Sequence, residues 1–317
     1  MLIRNIKLPN NILFAPMSGV SDAPYRKIVK KFNPGLVFSE MIASRALIHK
    51  NKKTLRMAKK NSNEILAIQI AGCEPDVMYD AAKVCEDQGA DIVDINMGCP
   101  VKKIVNGYAG SALMKDEDLA LKIIDSVCKA TKIPVTLKMR TGWDDNNKNA
   151  PKIAKIAESL GISLITVHGR TRCQMFKGKA DWAFIKKVKQ EVKIPVIANG
   201  DVESFKDVQD ILRISRADGL MIGRGSYGKP WIFEEIQTMF SDKPYKTPKI
   251  SIIRDIINEH HQLCLEHYGI DVGLKSFRKH LCWYSKSLRN SNSFRQEINK
   301  TLDHRKITSL INTFFED

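Results

Sequence analysis

The stretch Val196–Ile222, VIANGDVESFKDVQDILRISRADGLMI, contains the repeating unit that decides the fold. It begins with a β-rich apolar run at Val196–Asn199, passes through an amphipathic stretch at Ser204–Ile214, and ends in a second apolar run at Leu220–Ile222. A strand, a helix and another strand in this order are typical of two parallel strands joined by a right-handed crossover.

The same alternation fills the part of the chain before this unit. Amphipathic stretches such as Glu117–Ala130 separate six further β-rich runs. These runs are Ile12–Ala15, Leu36–Ser39, Leu66–Ile70, Ile92–Asn96, Val135–Arg140 and Leu164–Val167. Eight strand–helix units over roughly 240 residues predict a (β/α)8 TIM barrel, which typically takes about 250 residues. The alternative is a doubly wound open sheet, but it would need a glycine-rich fingerprint after its first strand, and Ala15–Gly19 is not one.

The sequence pattern changes from about Ser241. Residues 241–248, SDKPYKTP, are typical of a linker, and only helical periodicity follows them. We therefore expect a barrel domain at residues 1–240 and a C-terminal all-helical domain at residues 241–317.

Composition excludes several classes of protein. Of the 317 residues, 43% are hydrophobic and 27% are charged, which excludes a disordered or fibrous chain. No apolar run reaches the length of a membrane span, and Met1–Asn10 lacks the apolar core of a signal peptide, so we expect neither a membrane segment nor export. The seven cysteines are widely spaced without a CxxC pair, which argues against disulfides and a zinc ribbon and favours the reducing cytoplasm.

Unusual residues follow nearly every predicted strand. In a TIM barrel the active site forms at the C-terminal ends of the strands. Gln69, Lys138 and His168 end or follow apolar runs and are not turn formers, so we interpret these positions as a functional rim. A satisfied core histidine is the alternative for His168.

The rim carries residues suited to anions. Asn199-Gly200-Asp201 and Gly223-Arg224 follow the seventh and eighth strands, where TIM barrels commonly bind phosphate through glycine N–H groups and a guanidinium. Lys138 should face an anion, because an unpaired buried lysine is costly. One candidate is the N1–C2=O edge of a flavin, and the alternative is a Schiff-base lysine of an aldolase-type barrel.

Cys99 follows the fourth strand within DINMGCP, residues 94–100. Gly98 permits a tight loop and Pro100 fixes the following backbone, so a single thiol is presented rigidly at the barrel mouth. A thiol with a pKa of about 8.5 can donate a proton at neutral pH, so Cys99 is the candidate general acid.

The tail is strongly basic. The formal net charge of the chain is +16, which favours an anionic partner such as nucleic acid or a membrane surface, although a lysine-rich genome could supply part of it. Within Lys275–Lys306, nine residues are basic and two are acidic. On a helix, five cations fall within an arc of about 100°: Lys275, Arg278, Lys279, Lys286 and Arg289. A separate arc of about 80° holds five apolar residues: Leu274, Phe277, Leu281, Tyr284 and Leu288. We expect the apolar face to pack and the cations to contact phosphates, with a solvated basic face as the alternative.

Three histidines and a cysteine of the same tail could suggest a metal site. They are His260, His261, Cys264 and His267. The last three stand three residues apart and could share a helix face, but no fourth ligand stands at a convincing spacing, so we expect a polar helix face and no metal.

These motifs together resemble the tRNA-dihydrouridine synthases, FMN-dependent reductases of tRNA uridines, and most of all their bacterial B subfamily. The resemblance covers essentially the whole chain, and the combination of MGCP with HGRT is highly specific. The matching strings are APMSGVSD at 15–22, SEM at 39–41, QIAG at 69–72, DINMGCP at 94–100, AGSAL at 109–113, LKMRTGW at 137–143, HGRTR at 168–172, NGD at 199–201, GR at 223–224, FRKH at 277–280 and WY at 283–284.

The resemblance implies a role for each matching position. Residues that would flank the flavin ring or bond its pyrimidine edge are Pro16, Met17, Ser18, Gln69 and Lys138. Residues that would hold its ribityl chain and phosphate are His168, Asn199, Gly200, Asp201, Gly223 and Arg224. Cys99 would be the general acid, and Asn96 and Arg140 would contact a uracil flipped out of the tRNA. In the implied mechanism NAD(P)H reduces FMN, the flavin N5 delivers a hydride to C6 of uracil, and Cys99 protonates C5.

We therefore expect a monomeric cytoplasmic enzyme that reduces uridines of the tRNA D-loop to 5,6-dihydrouridine. One alternative is a flavin barrel acting on a free pyrimidine, such as a dihydroorotate or dihydropyrimidine dehydrogenase, against which the basic tail argues. Another is a tRNA-binding protein without catalysis, against which Cys99, Lys138 and His168 together argue.

Overall fold

The eight predicted strands form one closed parallel sheet. The structure, a computed structural model, describes residues 1–241 and 243–316, so Asp242 in the predicted linker and Asp317 at the predicted end of the helical domain lie outside the described residues. The strands are β1 Leu2–Ile3, β2 Ile6–Lys7, β3 Ile12–Phe14, β4 Leu36–Phe38, β5 Ile42–Ala43, β6 Leu66–Ala71, β7 Ile92–Met97, β8 Val135–Arg140, β9 Leu164–His168, β10 Val196–Asn199 and β11 Gly219–Ile222.

Parallel pairing closes these strands into a barrel. Strand β3 pairs with β4, β4 pairs with β6, and the order continues through β7, β8, β9 and β10 to β11, which pairs with β3. The short strand β5 is an addition beside the end of β6, with Ile42 opposite Ile70. The predicted TIM barrel is confirmed, and its carboxyl ends meet at one face of the sheet.

Helices follow the barrel strands and predominate in the chain after β11. They are α1 Ala23–Lys30, α2 Ser44–Ile48, α3 Lys52–Met57, α4 Pro75–Asp87, α5 Lys102–Val105, α6 Glu117–Ala130, α7 Ala150–Ser159, α8 Trp182–Glu191, α9 Phe205–Ser215, α10 Ile232–Phe240, α11 Ile250–Tyr268, α12 Ile270–Tyr284, α13 Ser291–Lys300 and α14 His304–Phe314. Short 3₁₀ helices span Gly110–Lys115 and Arg224–Ser226. None of the helices in the described ranges is long and apolar enough to cross a bilayer.

The chain divides into two compact units. The first contains Met1–Asp22 and Pro34–Arg224, and the second contains Ala23–Asn33 and the residues from Gly225 onward. The first unit holds the barrel, and the second holds α1 together with α10 to α14. The boundaries of these compact units differ from the expected domain division at residue 240/241. Whether independent domains begin and end at 240/241 stays a prediction.

A hairpin that the sequence pattern did not reveal belongs to the core of the first unit. Strands β1 and β2 pair antiparallel, with Ile3 opposite Ile6. Ile3 and Leu8 are buried in one cluster with the strand residues Leu13, Phe38 and others. Two-residue strands are too short to produce a recognisable alternation, so this element could not be predicted.

Helix α12 ends earlier than the tail pattern predicts. The expected helix ran to Arg289, but α12 stops at Tyr284, and Ser287 and Asn290 in the following turn have φ of 68° and 61°. Left-handed residues cannot continue an α-helix. The predicted apolar face is therefore correct for Leu274, Phe277, Leu281 and Tyr284, which are buried, and wrong for Leu288, which is 38% exposed.

The predicted polar face of α11 is wrong as well. His260, His261 and Cys264 are buried. The His260 ring stacks on Tyr25 with centroids 5.1 Å apart and meets the His280 ring edge-on at 4.5 Å. These imidazoles therefore pack as neutral aromatic rings in the core of the second unit. The described residues contain no cluster of three His, Cys, Asp or Glu side chains that could hold a metal ion.

The buried histidines predict that the protein loses stability in acid. Burial, with neighbouring His261 and Lys279, lowers the pKa of His260 to about 3, and burial holds the pKa of His280 well below its usual range. The folded chain therefore keeps both rings neutral, whereas the unfolded chain protonates them below about pH 6.5. Stability is complete above that pH and falls as the pH drops toward 4, by up to about 1.4 kcal/mol per pH unit for each histidine.

Denaturant unfolding at several pH values between about 7.5 and 5 checks this expectation. The variant His280→Phe should show a slope of unfolding free energy against pH that is shallower by about one histidine, or 1.4 kcal/mol per pH unit, whatever its stability at neutral pH. His49→Asn, at an exposed position, is the control and should leave the slope unchanged. A slope in His280→Phe equal to that of the unmodified chain would contradict the prediction.

Candidate active site

Five of the predicted site residues lie at the carboxyl ends of consecutive barrel strands, β6 to β10. Gln69, Asn96, Lys138 and Asn199 are buried, and His168 is partly buried. The strand register places Asn96 beside Lys138, and His168 beside both Arg140 and Asn199. The barrel therefore brings these side chains together at its active-site face.

Lys138 is a buried cation with a neutral partner. Its Nζ donates to Asn199 Oδ1 at 3.1 Å, and Asn199 Nδ2 donates in turn to the Met221 carbonyl at 2.8 Å. Burial and the nearby Arg140 lower the pKa of Lys138 to about 8, whereas Asp94 and Cys99 oppose this decrease. A buried ammonium that is hydrogen-bonded to a neutral amide oxygen suits an anionic group of a ligand.

His168 lies among cations. Burial lowers its pKa well below the usual range, and Arg140, Lys138, Arg170 and Arg224 lower it further. Its Nε2 is 3.2 Å from Arg170 Nη1. Because a guanidinium only donates, Nε2 must be the acceptor and the proton must be on Nδ1.

Asp201 holds two of these guanidiniums. Its Oδ2 accepts from Arg170 Nη2 at 2.5 Å and from the Ala180 N–H at 2.8 Å, and its Oδ1 accepts from Arg224 Nη2 at 3.2 Å. The Asp201 side chain therefore orients both Arg170 and Arg224.

Position 200 requires glycine for two reasons: its backbone is in a conformation that other residues rarely adopt, and His168 and Ala180 lie close to it. Its φ is +123°, and a Cβ there would lie 2.9 Å from His168 Cδ2 and 2.8 Å from Ala180 Cβ. Any side chain would displace the imidazole. Gly223 is less constrained, since its Cβ would lie 3.4 Å from Met17 Sδ, which is ordinary contact.

Met17 lies in the loop after β3, next to the loop that contains Gly223. The Met17 N–H donates to Ser21 Oγ at 2.9 Å, and its carbonyl accepts from the Val20 N–H at 2.9 Å. Pro16 and Met17 are partly buried in this turn and Ser18 is exposed. The turn thus fixes the three predicted flavin-flanking residues at the barrel mouth.

Cys99 is held through its backbone on both sides. Asn96 Oδ1 accepts from the Gly98 and Cys99 N–H groups at 3.1 and 3.0 Å, and the Cys99 carbonyl accepts from Ser111 Oγ at 2.8 Å. Gly110, with φ of +63°, allows this approach, because a Cβ there would lie 2.9 Å from the Cys99 oxygen. A Cβ on Gly98 would meet only ordinary contacts, so the tight loop at Cys99 depends on Gly110 rather than on Gly98.

Ser111 and Gly110 had no assigned role in the sequence, although both lie in the AGSAL string. Both residues lie close to the Cys99 carbonyl, which lies eleven or twelve residues earlier in the chain, so the sequence alone did not reveal their role in holding the Cys99 loop. Cys99 is a free cysteine and is partly exposed.

Arg140 binds backbone carbonyls. Its Nε donates to the Gly98 oxygen, and its Nη1 donates to the Thr171 and Met175 oxygens, all at 2.8 Å. It thereby ties the Cys99 loop to the loop after β9, and its predicted contact with uracil stays a prediction. Phe176 in the loop after β9 is 52% exposed. Its ring centroid lies 5.7 Å from the guanidinium carbon of Arg140 and 5.4 Å from that of Arg224. Nothing in the sequence distinguished this exposed aromatic ring.

The predicted RNA-binding residues of the tail are divided by the structure. Lys275 is exposed on α12 and Lys279 is partly buried there, whereas Lys286 and Arg289 are exposed in the turn before α13. Arg278 Nη2 donates to the Thr301 carbonyl at 2.5 Å, so this guanidinium ties α12 to the end of α13. The five cations therefore do not form the single helical arc that the pattern predicted.

Comparison with known proteins gives consistent results. A family model described as Dihydrouridine synthase (Dus) matches residues 13–316. The chain is 51% identical over 316 residues to a probable tRNA-dihydrouridine synthase of Rickettsia conorii, covering 99% of this chain and 96% of that protein. It is 42% identical over 317 residues to tRNA-dihydrouridine synthase B of Pasteurella multocida, covering 99% and 96%. A morphinone reductase variant in complex with tetrahydroNAD superposes with a TM-score of 0.57 at 14% identity, over 79% of this chain and 92% of that one, which shows a shared fold.

Proposed function

This chain belongs to the dihydrouridine synthase family, and on that premise we propose that it reduces uridines in the D-loop of tRNA to 5,6-dihydrouridine with FMN and NAD(P)H. The observation that carries the proposal is the group of cations around His168 and the buried Lys138, at the barrel end that also presents Cys99. We expect the enzyme to act as a monomer in the cytoplasm.

The residues at the barrel mouth fit a flavin mononucleotide. Burial lowers the pKa of His168, and four nearby cations lower it further: Arg140, Lys138, Arg170 and Arg224. These cations give the site positive charge suited to a phosphate. The Thr166 hydroxyl, opposite Lys138 on the neighbouring strand, is buried without a hydrogen-bond partner in the described part of the chain. A ligand with both an anionic group and polar ring atoms would satisfy these groups.

The parts of the flavin would be held by different loops. The phosphate would bind Arg224 and the backbone at Gly200 and Asp201, the pyrimidine edge would face Lys138 and Gln69, and the ring would lie beside Met17. When bound and reduced by NAD(P)H, the flavin supplies the hydride for C6 of uracil.

Cys99 supplies the proton. Its Sγ carries the hydrogen that adds to C5 of uracil, so the C5=C6 bond becomes saturated by one hydride and one proton. Lys138 and Arg140 lie near Cys99, and a negative charge on Cys99 opposes the decrease that burial causes in the pKa values of these two cations. Asn96 holds the Cys99 backbone and lies beside Lys138, which supports the proposed contact of its side chain with uracil.

The tail would bind the tRNA. Lys286 and Arg289 are exposed in one turn, so both are free to contact phosphates, whereas Arg278 is used by the fold. This surface supports a tRNA substrate over a free pyrimidine.

We expect the enzyme with FMN and NAD(P)H to form dihydrouridine in tRNA and not to reduce free uridine. In the variant Lys286→Glu/Arg289→Glu, the KM for tRNA should rise about tenfold or more and its salt dependence should weaken, because two phosphate contacts are lost. Flavin content should stay unchanged. The measurement is the tRNA concentration dependence of dihydrouridine formation at several salt concentrations.

The matched control is Lys186→Glu/Lys206→Glu, which makes the same charge change at two exposed positions of the barrel helices α8 and α9. It should leave the KM near that of the unmodified enzyme. Efficient reduction of free uridine, or equal KM values for the tail variant and the control, would contradict the proposed substrate and its contact surface.

A further inference from the structure

A buried carboxyl group lies below the Cys99 loop and has no role in the chemistry above. Asp94 is on β7, two residues before Asn96, so both side chains point to the same side of the strand. Its relative exposure is 0%. Burying a carboxylate is costly unless its oxygens are hydrogen-bonded, so its partners need an explanation.

Both Asp94 oxygens accept short hydrogen bonds from neighbouring strands. Oδ1 accepts from Thr136 Oγ1 on β8 at 2.6 Å, and Oδ2 accepts from Gln69 Nε2 on β6 at 2.6 Å. Burial raises the pKa of Asp94 to about 7, and these two hydrogen bonds together with Lys138 oppose the rise. The carboxyl group thus joins three strands in the barrel interior.

The carboxylate fixes the orientation of two side-chain amides. Because Gln69 Nε2 donates to Asp94 Oδ2, the Gln69 amide directs its NH₂ group toward Asp94 and its Oε1 away. That Oε1 accepts from Asn96 Nδ2 at 2.7 Å. Asn96 must therefore direct its own oxygen toward the Gly98 and Cys99 N–H groups, as observed.

This chain of hydrogen bonds begins at a carboxyl oxygen that accepts and ends at backbone N–H groups that can only donate. Reversing either amide would place two NH₂ groups, or an NH₂ group and backbone N–H groups, against each other. Each hydrogen bond between Asp94 and the Cys99 loop therefore requires both amides to keep the observed orientation.

We propose that Asp94 is a positioning residue for Cys99, which it holds in place through Gln69 and Asn96. This role rests on the proposed function, because it matters for turnover only if Cys99 donates the proton. The physical constraint on the loop does not depend on that function. A measurement of loop order therefore tests the inference even if Cys99 is not the acid.

The direct measurement is backbone hydrogen exchange at Gly98 and Cys99 in the flavin-bound enzyme. In Asp94→Leu the Gln69 amide loses its acceptor, and exchange at these two N–H groups should rise about tenfold or more. In Asp94→Asn the hydrogen bond is retained without its charge, and the rise should be about threefold. Amides of α6 should be unaffected in both variants, since the change is local.

Turnover should follow the loop. The kcat for dihydrouridine formation should fall about 100-fold in Asp94→Leu and less in Asp94→Asn, with the KM for tRNA within about twofold, because misplacing a catalytic group affects the chemical step. Thr136→Val is the matched control. It removes the other hydrogen bond of the same carboxylate, outside the path to Asn96, and should leave exchange at Gly98 and Cys99 unchanged.

A double variant separates positioning from general loosening. In an Asn96→Ala background, Asp94→Asn should add no further exchange at Cys99, because the path is already broken. Additive effects would overturn the inference, and so would a rise of equal size in α6. If Asp94→Leu does not fold, Asp94→Asn decides: exchange and kcat both equal to those of the unmodified enzyme would overturn it.

Discussion

Replacing Cys99 with alanine should lower the rate of dihydrouridine formation about 10²- to 10⁴-fold, which is the usual contribution of a positioned general acid. The loop should survive, because Asn96 and Ser111 bind the backbone N–H and carbonyl of residue 99 and not its thiol. Flavin and tRNA should therefore bind as before. Single-turnover reaction of the reduced, flavin-loaded variant with tRNA measures the chemical step alone.

The matched control is Cys173→Ala. Cys173 is exposed in the loop after β9 and has no role in the proposed chemistry, so its variant should keep full activity. A Cys99→Ala enzyme that forms dihydrouridine at the unmodified rate would show that another group donates the proton. A Cys99→Ala enzyme that has lost its flavin would instead indicate a binding role for the thiol.

Replacing Lys138 with methionine should have the second largest effect. Methionine fills a similar volume without charge, so the variant removes the buried cation from the site and leaves Asn199 Oδ1 without its donor. We expect flavin to bind about 100-fold more weakly and the hydride step to slow by a similar factor, because a preorganised charge next to the developing anion is lost. Fluorescence titration with FMN and stopped-flow reduction measure the two effects separately.

Lys115→Met is the control for the loss of a lysine. Lys115 is exposed, and its ammonium lies 3.9 Å from the Trp143 ring centroid. Neither Lys115 nor Trp143 is a predicted flavin residue. Its variant should bind and reduce flavin normally. Equal FMN affinity in Lys138→Met and the unmodified protein would contradict the assignment of Lys138 to the flavin.

The barrel could be predicted from the sequence because its strands are short, buried apolar runs that are separated by turns and amphipathic helices. The predicted bounds of Val135–Arg140, Val196–Asn199 and α6 agree with the structure. Helix α6 begins where predicted because Asp116 caps its N-terminus, accepting from the Leu119 N–H at 3.0 Å. The rim positions followed from the general rule that TIM-barrel sites form at strand ends.

The features that could not be predicted depend on contacts between distant segments. Asp94 sits in the same motif as Cys99, yet its importance follows from the register that places Gln69 and Thr136 beside it. The hydrophobic periodicity of the tail continues past Tyr284, so the sequence predicted a helix to Arg289. The left-handed turn at Ser287 and Asn290 that follows the helix cannot be recognised from hydrophobicity alone. The histidines of α11 are polar by type, and only packing against Tyr25 and His280 made them part of a core.

The most direct test of the central claim is the chromophore carried by the barrel. Protein purified in the presence of excess flavin, then washed and denatured, should release FMN in an amount equal to the protein, identified by its mass and its phosphate group. Arg224→Ala should reduce that amount and leave the fold intact, since the phosphate loses its guanidinium. A folded protein that neither carries nor takes up a flavin would contradict the account.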